Sequence, residues 1–265
     1  MIDQHTATLR LVPRVRVGGL AIGSLSRREW AELMANHCVN TRGNADRRPT
    51  VVLSANGQVV ATCLIEPEFK AIVEQADFID ADGQPLVMAS RLWCKNPLPE
   101  RVATTDFFHD AAKVAEERGL RFYFLASTHE RIRHAVDVIR RSYPRLEICG
   151  YRDGYFSQEQ ESEVIEQVRA AAPDVLWVGL GAPKQEVFVI RNRDALRGVG
   201  WIKTCGGLFD YFSPEIKRAP AWMQASGLEW LFRALQEPKK YGRRYLTTNP
   251  PAAWALLTQT GDVDR

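Results

Sequence analysis

Hydrophobic residues follow two different patterns along the first 204 residues of this chain. Short continuous apolar runs are typical of parallel strands buried on both faces. They predict the strands Arg14–Val17, Thr50–Leu53, Asp77–Asp80, Arg121–Leu125, Leu146–Gly150, Val175–Gly179 and Gly200–Thr204. Apolar residues spaced three and four apart predict the helices Glu68–Gln75, Asp106–Arg118, His129–Arg141, Gln158–Ala171 and Lys184–Leu196. We therefore expect an α/β fold, with a Rossmann-like, mainly parallel sheet flanked by helices and ligands at the carboxyl ends of its strands.

The pattern changes near Phe212, after which no strand pattern recurs and Trp, Tyr and basic residues accumulate. We expect two domains, an α/β core at residues 1–211 and a helical appendage at residues 212–265. Residues 217–245 include seven basic and two acidic residues, a local excess of five that exceeds the net charge of +3 of the whole chain. Ser226 and Glu229 have the spacing of a capping box, and Pro238 suits the start of a helix. Basic and aromatic side chains together suit an anionic membrane surface.

Composition narrows the class of protein. With 265 residues, 45% of them hydrophobic, the chain can bury a sizeable core. Its 35 basic and 32 acidic residues nearly balance, so the overall charge does not indicate nucleic-acid binding. Its five cysteines include no Cys-x-x-Cys pair and its five histidines no metal-binding spacing, which favours reduced thiols over disulfides or zinc. We see no signal peptide and no apolar stretch of membrane-spanning length, and so expect a cytoplasmic protein with peripheral membrane contact.

A strand-to-helix turn after Gly179 has the features of a ligand site. Gly179 and Gly181 allow a tight turn at the end of an apolar run, and Pro183 suits the first position of a helix. Lys184 and Gln185 follow on the first helical turn, where backbone amides can meet an anion. A lone Gly-x-Gly is more often an ordinary loop. The clustered polar side chains nevertheless indicate a site.

Two carboxylates end another predicted strand. Asp80 and Asp82 have the Asp-x-Asp form that holds a metal and a nucleotide diphosphate in many sugar transferases. Alternatively, Asp82 is a general base, which requires a carboxylate near the reacting hydroxyl. The turn at Asp82 and Gly83 could also be a plain turn without a function.

Other polar residues and glycines also lie next to strand ends. Ser54 and Asn56 close a strand with groups that suit hydrogen bonds to sugar or uracil, although both residue types are common in plain turns. Gly206 and Gly207 predict a second backbone nest at the same edge. Arg101 precedes a Thr-Thr-Asp sequence that could simply cap the next helix.

Six ordered motifs across roughly 190 residues together resemble the WecG/TagA/CpsF family of bacterial glycosyltransferases. They are Ser54–Asn56 for Thr-x-Asn, Ala81–Val87 for Ala-Asp-Gly-x-Pro-Leu-Val, Gly179–Glu186 for Gly-x-Gly-x-Pro-Lys-Gln-Glu, Gly206–Asp210 for Gly-Gly-x-Phe-Asp, Arg218–Trp222 for Arg-Ala-Pro-x-Trp, and Gly227–Leu231 for Gly-Leu-Glu-Trp-Leu. The resemblance departs from the family pattern in three places. Ser54 replaces Thr, Lys240 replaces Arg, and the segment Leu125–Thr128 lacks the usual glycines, a change expected to alter donor specificity.

The resemblance implies an inverting transferase that moves a hexose from a UDP-sugar to a polyprenyl-diphosphate-linked sugar, in cell-surface or exopolysaccharide biosynthesis. The hexose would be of the N-acetylmannosamine type, glucose or a uronic acid, and no metal or other cofactor would be needed. Asp82 would be the catalytic base. The expected substrate contacts are Ser54, Asn56, Arg101, Gly181, Lys184, Gln185, Gly206, Gly207 and Asp210. The expected diphosphate-binding residues are Arg233, Lys240 and Arg243.

Three other function classes compete with this interpretation. An NAD(P)-dependent Rossmann oxidoreductase would need a third glycine where Lys184 stands, and an acidic residue at the end of the next strand. A nucleic-acid-binding module would leave the carboxylate edge unexplained, so we expect no nucleic-acid partner. An inactive membrane-bound scaffold would not need Asp82. The sequence leaves the oligomeric state open, including a homo-oligomer.

Overall fold

The computed structural model describes residues 12–213 and 216–263, except for the side chain of Lys240. In this part of the chain the strands are β1 (Arg14–Val17), β2 (Leu20–Gly23), β3 (Thr50–Ala55), β4 (Phe78–Ala81), β5 (Arg121–Ala126), β6 (Glu147–Arg152), β7 (Val175–Gly179), β8 (Trp201–Thr204) and β9 (Gly261–Asp262). The helices are α1 (Arg27–Thr41), α2 (Gly57–Ile65), α3 (Pro67–Val73), α4 (Gln84–Trp93), α5 (Thr104–Arg118), α6 (His129–Ser142), α7 (Glu161–Ala171), α8 (Lys184–Arg191), α9 (Ala221–Ala225), α10 (Glu229–Gln236) and α11 (Pro238–Thr258). A short 3₁₀ helix spans Leu208–Phe212.

Six strands form one parallel sheet in the order β4-β3-β8-β7-β5-β6, which confirms the predicted α/β fold. The pairing register places Ser54 opposite Asp80 on neighbouring strands. In the other half of the sheet, Ala126 lies opposite Gly179. The carboxyl ends of these strands therefore meet at one edge of the sheet, which we call the carboxyl edge.

Helices cover both faces of the sheet, and successive residues of each strand point to opposite faces. Val52 belongs to a core shared with α1, α5 and α6, whereas Leu53 belongs to one shared with α2, α8 and α11. The first core is strongly aromatic. It includes Trp30, Phe107, Phe108, Phe122, Phe124, Trp177, Trp201 and Phe209.

The predicted strands and helices of the α/β body are all present, with shifted ends, but three further helices were not predicted. Asn56 accepts hydrogen bonds from the amides of Gln58 and Val59 and so begins α2, although this helix is rich in β-branched residues. A capping box formed by Ser26 and Glu29 begins α1. The third, α4, follows Asp82 after a single residue.

Two predictions about the residues at helix starts were wrong. Ser226 does not cap α10, because its hydroxyl donates to the carbonyl of Met223, and α10 begins without a side-chain cap. Helix α8 begins at Lys184, so Pro183 lies just before it and follows a cis peptide bond. Pro238 is at the start of α11, as predicted.

The C-terminal segment begins at the carboxyl edge and ends in the core. Helices α9 and α10 lie near the edge, whereas the second half of α11 packs on α2 through Ala252, Ala255 and Leu256. Strand β9 pairs with β1 in a small antiparallel sheet that also contains β2. The division of the chain into two domains at residue 211 stays a prediction. In the described residues, no helix combines the length and apolar character needed to cross a membrane.

Candidate active site

The carboxylate of Asp82 lies at the carboxyl edge, in the single turn between β4 and α4. The amides of Asp82 and Gly83 both donate to the carbonyl of Ala55, at 2.9 and 3.2 Å, which ties the turn to the end of β3. Oδ1 of Asp82 accepts from the amide of Thr104 at 3.0 Å. The side chain is one-quarter exposed. Asp82 is therefore a held carboxylate that solvent or a substrate can reach.

Arg101 lies beside this carboxylate. Its Nε donates to the main-chain oxygen of Asp82 at 2.5 Å, and its guanidinium lies 4.0 Å from Oδ1. The same guanidinium forms an ion pair with Glu229 of α10 at 2.7 Å. Arg218 lies 3.7 Å from Glu229 and donates to both carboxylate oxygens of Asp106. This chain of charges links α10 and the segment before α9 to the predicted base.

Asp80 is directed into the protein instead. Its carboxylate pairs with the ammonium of Lys203 at 2.9 Å, and both side chains are 1% exposed. Burial raises the pKa of Asp80, and the charge of Lys203 opposes that effect. Lys203 also donates to the hydroxyl of Ser54 and, at 3.1 Å, to the carbonyl of Thr204. The two carboxylates of the Asp-x-Asp sequence therefore have different environments, one buried and paired and one at the surface.

The first predicted substrate contacts, Ser54 and Asn56, are already engaged within the protein. The hydroxyl of Ser54 is buried among Lys203, Thr104 and the carbonyl of Thr204. The side-chain oxygen of Asn56 caps α2, and the side-chain nitrogen of Asn56 takes no part in this cap.

The glycine turns after β7 and β8 are joined by Gln185. Its side-chain oxygen accepts from the amide of Gly206 at 3.0 Å, and its amide donates to Glu186 at 2.7 Å. Burial raises the pKa of Glu186. Gly179 cannot be replaced without movement, because an added Cβ would lie 2.5 Å from the carbonyl oxygen of Gly206. Gly181 adopts a φ of 76°, which favours glycine.

Lys184 does not join this group of side chains. Its ammonium lies 4.7 Å from the centre of the Phe156 ring and 3.4 Å from the carbonyl oxygen of Gly154, in the segment after β6. The predicted contacts therefore separate into Asp82 with Arg101, Gln185 with the two glycine turns, and Lys184 on its own.

Asp210 and Arg233 meet over the turn after β8. The guanidinium of Arg233 lies between the rings of Tyr211 and Tyr241, 4.7 and 4.8 Å from their centres, and donates to both hydroxyls. It lies 4.0 Å from the carboxylate of Asp210. An added Cβ on Gly207 would lie 3.0 Å from the same guanidinium. Helix α10 therefore places a cation directly on the second glycine turn.

The other two predicted diphosphate-binding residues are on α11. Arg243 is exposed. The side chain of Lys240 lies outside what the structure describes. Arg244, which was not predicted to bind the diphosphate, lies 4.5 and 4.7 Å from the ring centres of Tyr241 and Tyr245. Burial raises the pKa of Tyr245, and Arg244 opposes that effect.

Several residues of the edge were not predicted from the sequence. Lys203 is a single charge within an apolar strand, and only its unusual position could have drawn attention to it. Ser127 and Arg131, which both approach Asp210, are separated from it by about 80 residues of sequence. No local sequence pattern predicts such a contact.

Comparison with known proteins shows what this chain is similar to. Residues 15–263 match the model of the family described as Glycosyl transferase WecG/TagA/CpsF family. A protein of Bacillus spizizenii named N-acetylglucosaminyldiphosphoundecaprenol N-acetyl-beta-D-mannosaminyltransferase is 33% identical over 192 residues, 72% of this chain and 73% of its own length. Proteins of the same name from Bacillus subtilis and Staphylococcus aureus are 33% identical over 193 residues and 28% identical over 192 residues, covering 73% and 72% of this chain and 74% of their own lengths. The chain therefore belongs to the WecG/TagA/CpsF family and is a glycosyltransferase.

Proposed function

We propose that this enzyme transfers a hexose from a UDP-sugar to a polyprenyl-diphosphate-linked sugar, with inversion at the anomeric carbon and with Asp82 as general base. The names of the relatives support an acceptor of this class, because they describe transfer to a sugar on an undecaprenyl diphosphate. The observation that carries the proposal is the position of Asp82, held at the carboxyl edge by Thr104 and Ala55 with its side chain partly exposed.

In the proposed reaction, Asp82 takes the proton of the acceptor hydroxyl as that oxygen bonds to the anomeric carbon. The bond from this carbon to the diphosphate breaks on the opposite face, and UDP leaves with the electron pair. In the described residues, Oδ1 of Asp82 accepts a hydrogen bond from Thr104 and no hydrogen bond reaches Oδ2. Oδ2 is therefore the oxygen that we assign to the proton.

The charge of the leaving UDP is neutralised by protein cations in this proposal. Arg233 and Arg243, with Lys240, bind the diphosphate, and Arg101 lies beside the base. Amides at the start of α8 add partial positive charge. Asn56, Gly181, Gln185, Gly206, Gly207 and Asp210 complete the substrate contacts. The buried pair of Asp80 and Lys203 supports metal-independent transfer, because this carboxylate is already neutralised by an ammonium.

We propose peripheral attachment to the cytoplasmic face of the membrane, so that the site meets its lipid-linked acceptor. Exposed apolar side chains on α9, α10 and α11 support this. They are Trp222, Leu231, Leu235, Leu246, Trp254 and Leu257. Lys239 and Arg243 add exposed charge that suits anionic lipid. Met223 and Tyr241 are buried, so the proposed membrane surface does not include them.

The donor hexose is proposed as N-acetylmannosamine-type, glucose or a uronic acid, and the test is a panel of these UDP-sugars. UDP release by the purified enzyme should require one of the donors and rise when a polyprenyl-diphosphate-linked sugar is added. If the lipid-linked sugar does not raise UDP release with any of the donors, the proposed acceptor class is wrong. If none of the UDP-sugars yields free UDP, the proposed donor class is wrong.

A further inference from the structure

The loop after β5 holds Ser127 in an unusual backbone conformation. Its φ is 57°, in the left-handed region that residues with a Cβ rarely adopt. The loop is fixed at the carboxyl edge, because the preceding residue, Ala126, pairs with Gly179 and the carbonyl of Ser127 accepts from the amide of Gly154 at 2.9 Å. Strain of this kind persists where the surrounding structure imposes it, often at functional sites.

The conformation directs the serine hydroxyl to Asp210. Oγ of Ser127 donates to Oδ1 of Asp210 at 2.7 Å, and Asp210 is 8% exposed. The same carboxylate lies 3.6 Å from the guanidinium of Arg131 on α6 and 4.0 Å from that of Arg233 on α10. Asp210 thus lies close to two cations from distant parts of the chain, and Ser127 orients it through a hydrogen bond.

We propose that Ser127 is a positioning residue for the donor nucleotide. By holding Asp210, it keeps the guanidiniums of Arg131 and Arg233 close together at the carboxyl edge, where both face the diphosphate of the UDP-sugar. Two guanidiniums repel each other, and a fixed carboxylate close to both reduces that repulsion before a diphosphate arrives. The distances to Asp210 are longer than hydrogen bonds, so the carboxylate holds the pair mainly by charge. This inference rests on the proposed UDP-sugar donor and adds Ser127 and Arg131 to its site.

The backbone conformation of Ser127 allows its hydroxyl to be removed without adding backbone strain. Ser127→Gly removes the hydroxyl and places at this φ the residue that tolerates it best, so relief of the backbone strain partly offsets the lost hydrogen bond and we expect the fold to be retained. Binding of UDP to the full-length enzyme, measured by calorimetry, should weaken about tenfold, as for loss of a hydrogen bond to a charged group. The KM for the UDP-sugar should rise by a similar factor while kcat changes little. Ser127→Ala should weaken binding as much but keep the backbone strain.

A double substitution separates positioning from a merely structural role. Asp210→Ala should weaken UDP binding by itself, and Ser127→Gly added to it should have no further effect, because Ser127 acts through Asp210. Ser142→Ala is the matched control, because this hydroxyl donates to a carbonyl within α6, that of Val138. It should leave UDP binding unchanged.

The outcomes distinguish this inference from the function on which it rests. If Asp210→Ala weakens UDP binding but Ser127→Gly does not, Ser127 has no positioning role and the proposed function stands. Additive effects in the double variant would also overturn the inference. If Asp210→Ala has no effect, the assignment of Asp210 to the site is wrong, and the inference fails with it. If the unaltered enzyme binds no UDP, the donor class is wrong and both proposals fall.

Discussion

At the scale of single residues, the carboxyl edge separates charges that are paired inside the protein from charges that face outward. Lys203 and Asp80 form a buried ion pair directly behind Ser54, whereas Asp82 and Arg101 lie at the surface of the same strand ends. Removing water from two charges is costly, and only close pairing compensates for it. The buried pair therefore joins β4 to β8 across β3 and supports the edge.

Breaking this pair should be strongly destabilising. Lys203→Met leaves the Asp80 carboxylate buried without its partner, and we expect a loss of about 3–5 kcal/mol in the free energy of unfolding. The double variant Lys203→Met/Asp80→Asn should recover much of that loss, because no unpaired charge remains. Urea unfolding of the two variants and the unaltered protein measures the difference. A single variant as stable as the parent would show that the pair has no structural role.

Sequence patterns located residues of the carboxyl edge where they follow strands, and missed those that face each other across the sheet. The positions of Asp82, Gln185 and Gly206 at this edge were predictable because strand ends and glycines have local signatures, whereas their roles in the reaction stay predictions. Lys203 was missed, since its partner Asp80 is distant in sequence. The contact of Asp210 with Ser127 was missed for the same reason. Pairing across a parallel sheet depends on strand order, which the sequence pattern did not provide.

At the scale of elements, α10 and α11 connect the edge to a surface. Arg101 and Glu229 join α10 to the turn that carries Asp82, and Arg233 joins it to the second glycine turn. The outer side of these helices exposes leucines and tryptophans.

Continuous apolar runs made the strands predictable from the sequence. Helix α2 was missed because its β-branched residues do not favour a helix. The cap at Asn56 and the packing of α2 against α11 override that preference.

Substitution at the exposed leucines tests the proposed membrane surface. Deleting the chain from Lys217 would also remove Leu256 from the core, so a point change is the cleaner test. Leu246, on α11, is 79% exposed, and Leu246→Glu should lower binding to anionic vesicles about tenfold or more. Co-sedimentation with vesicles measures this.

Val39→Glu is the control, since Val39 is 43% exposed on α1, which packs in the core on the opposite face of the sheet from the core that contains α11. It should leave vesicle binding unchanged. Equal losses in both variants would indicate non-specific charge repulsion by the vesicles, and no loss in Leu246→Glu would remove α11 from the membrane surface.

At the scale of the whole molecule, the six parallel strands bring together groups from distant parts of the chain, as such sheets do at their carboxyl ends. The order of the motifs was sufficient to identify the family before any contact was visible. Pocket shape and the choice of hexose depend on side-chain packing between segments, and the motifs do not determine them.

Transfer should not depend on a divalent metal. Asp80 is neutralised by Lys203, and the cations of α10 and α11 are available to the diphosphate in the proposed mechanism. We therefore expect sugar transfer to survive dialysis against EDTA. Loss of activity that manganese or magnesium restores would contradict the proposal and would revive the Asp-x-Asp interpretation.

The most direct test of the account is the rate of sugar transfer by Asp82→Asn, measured with the donor identified from the UDP-sugar panel and a polyprenyl-diphosphate-linked acceptor. Asparagine keeps an oxygen that can accept from Thr104 but cannot take a proton, so the fold and UDP binding should be retained. Turnover should fall by about 10²–10⁴-fold, the usual contribution of a general base. Near-normal turnover by a folded Asp82→Asn enzyme would show that another group removes the proton and that the central assignment is wrong.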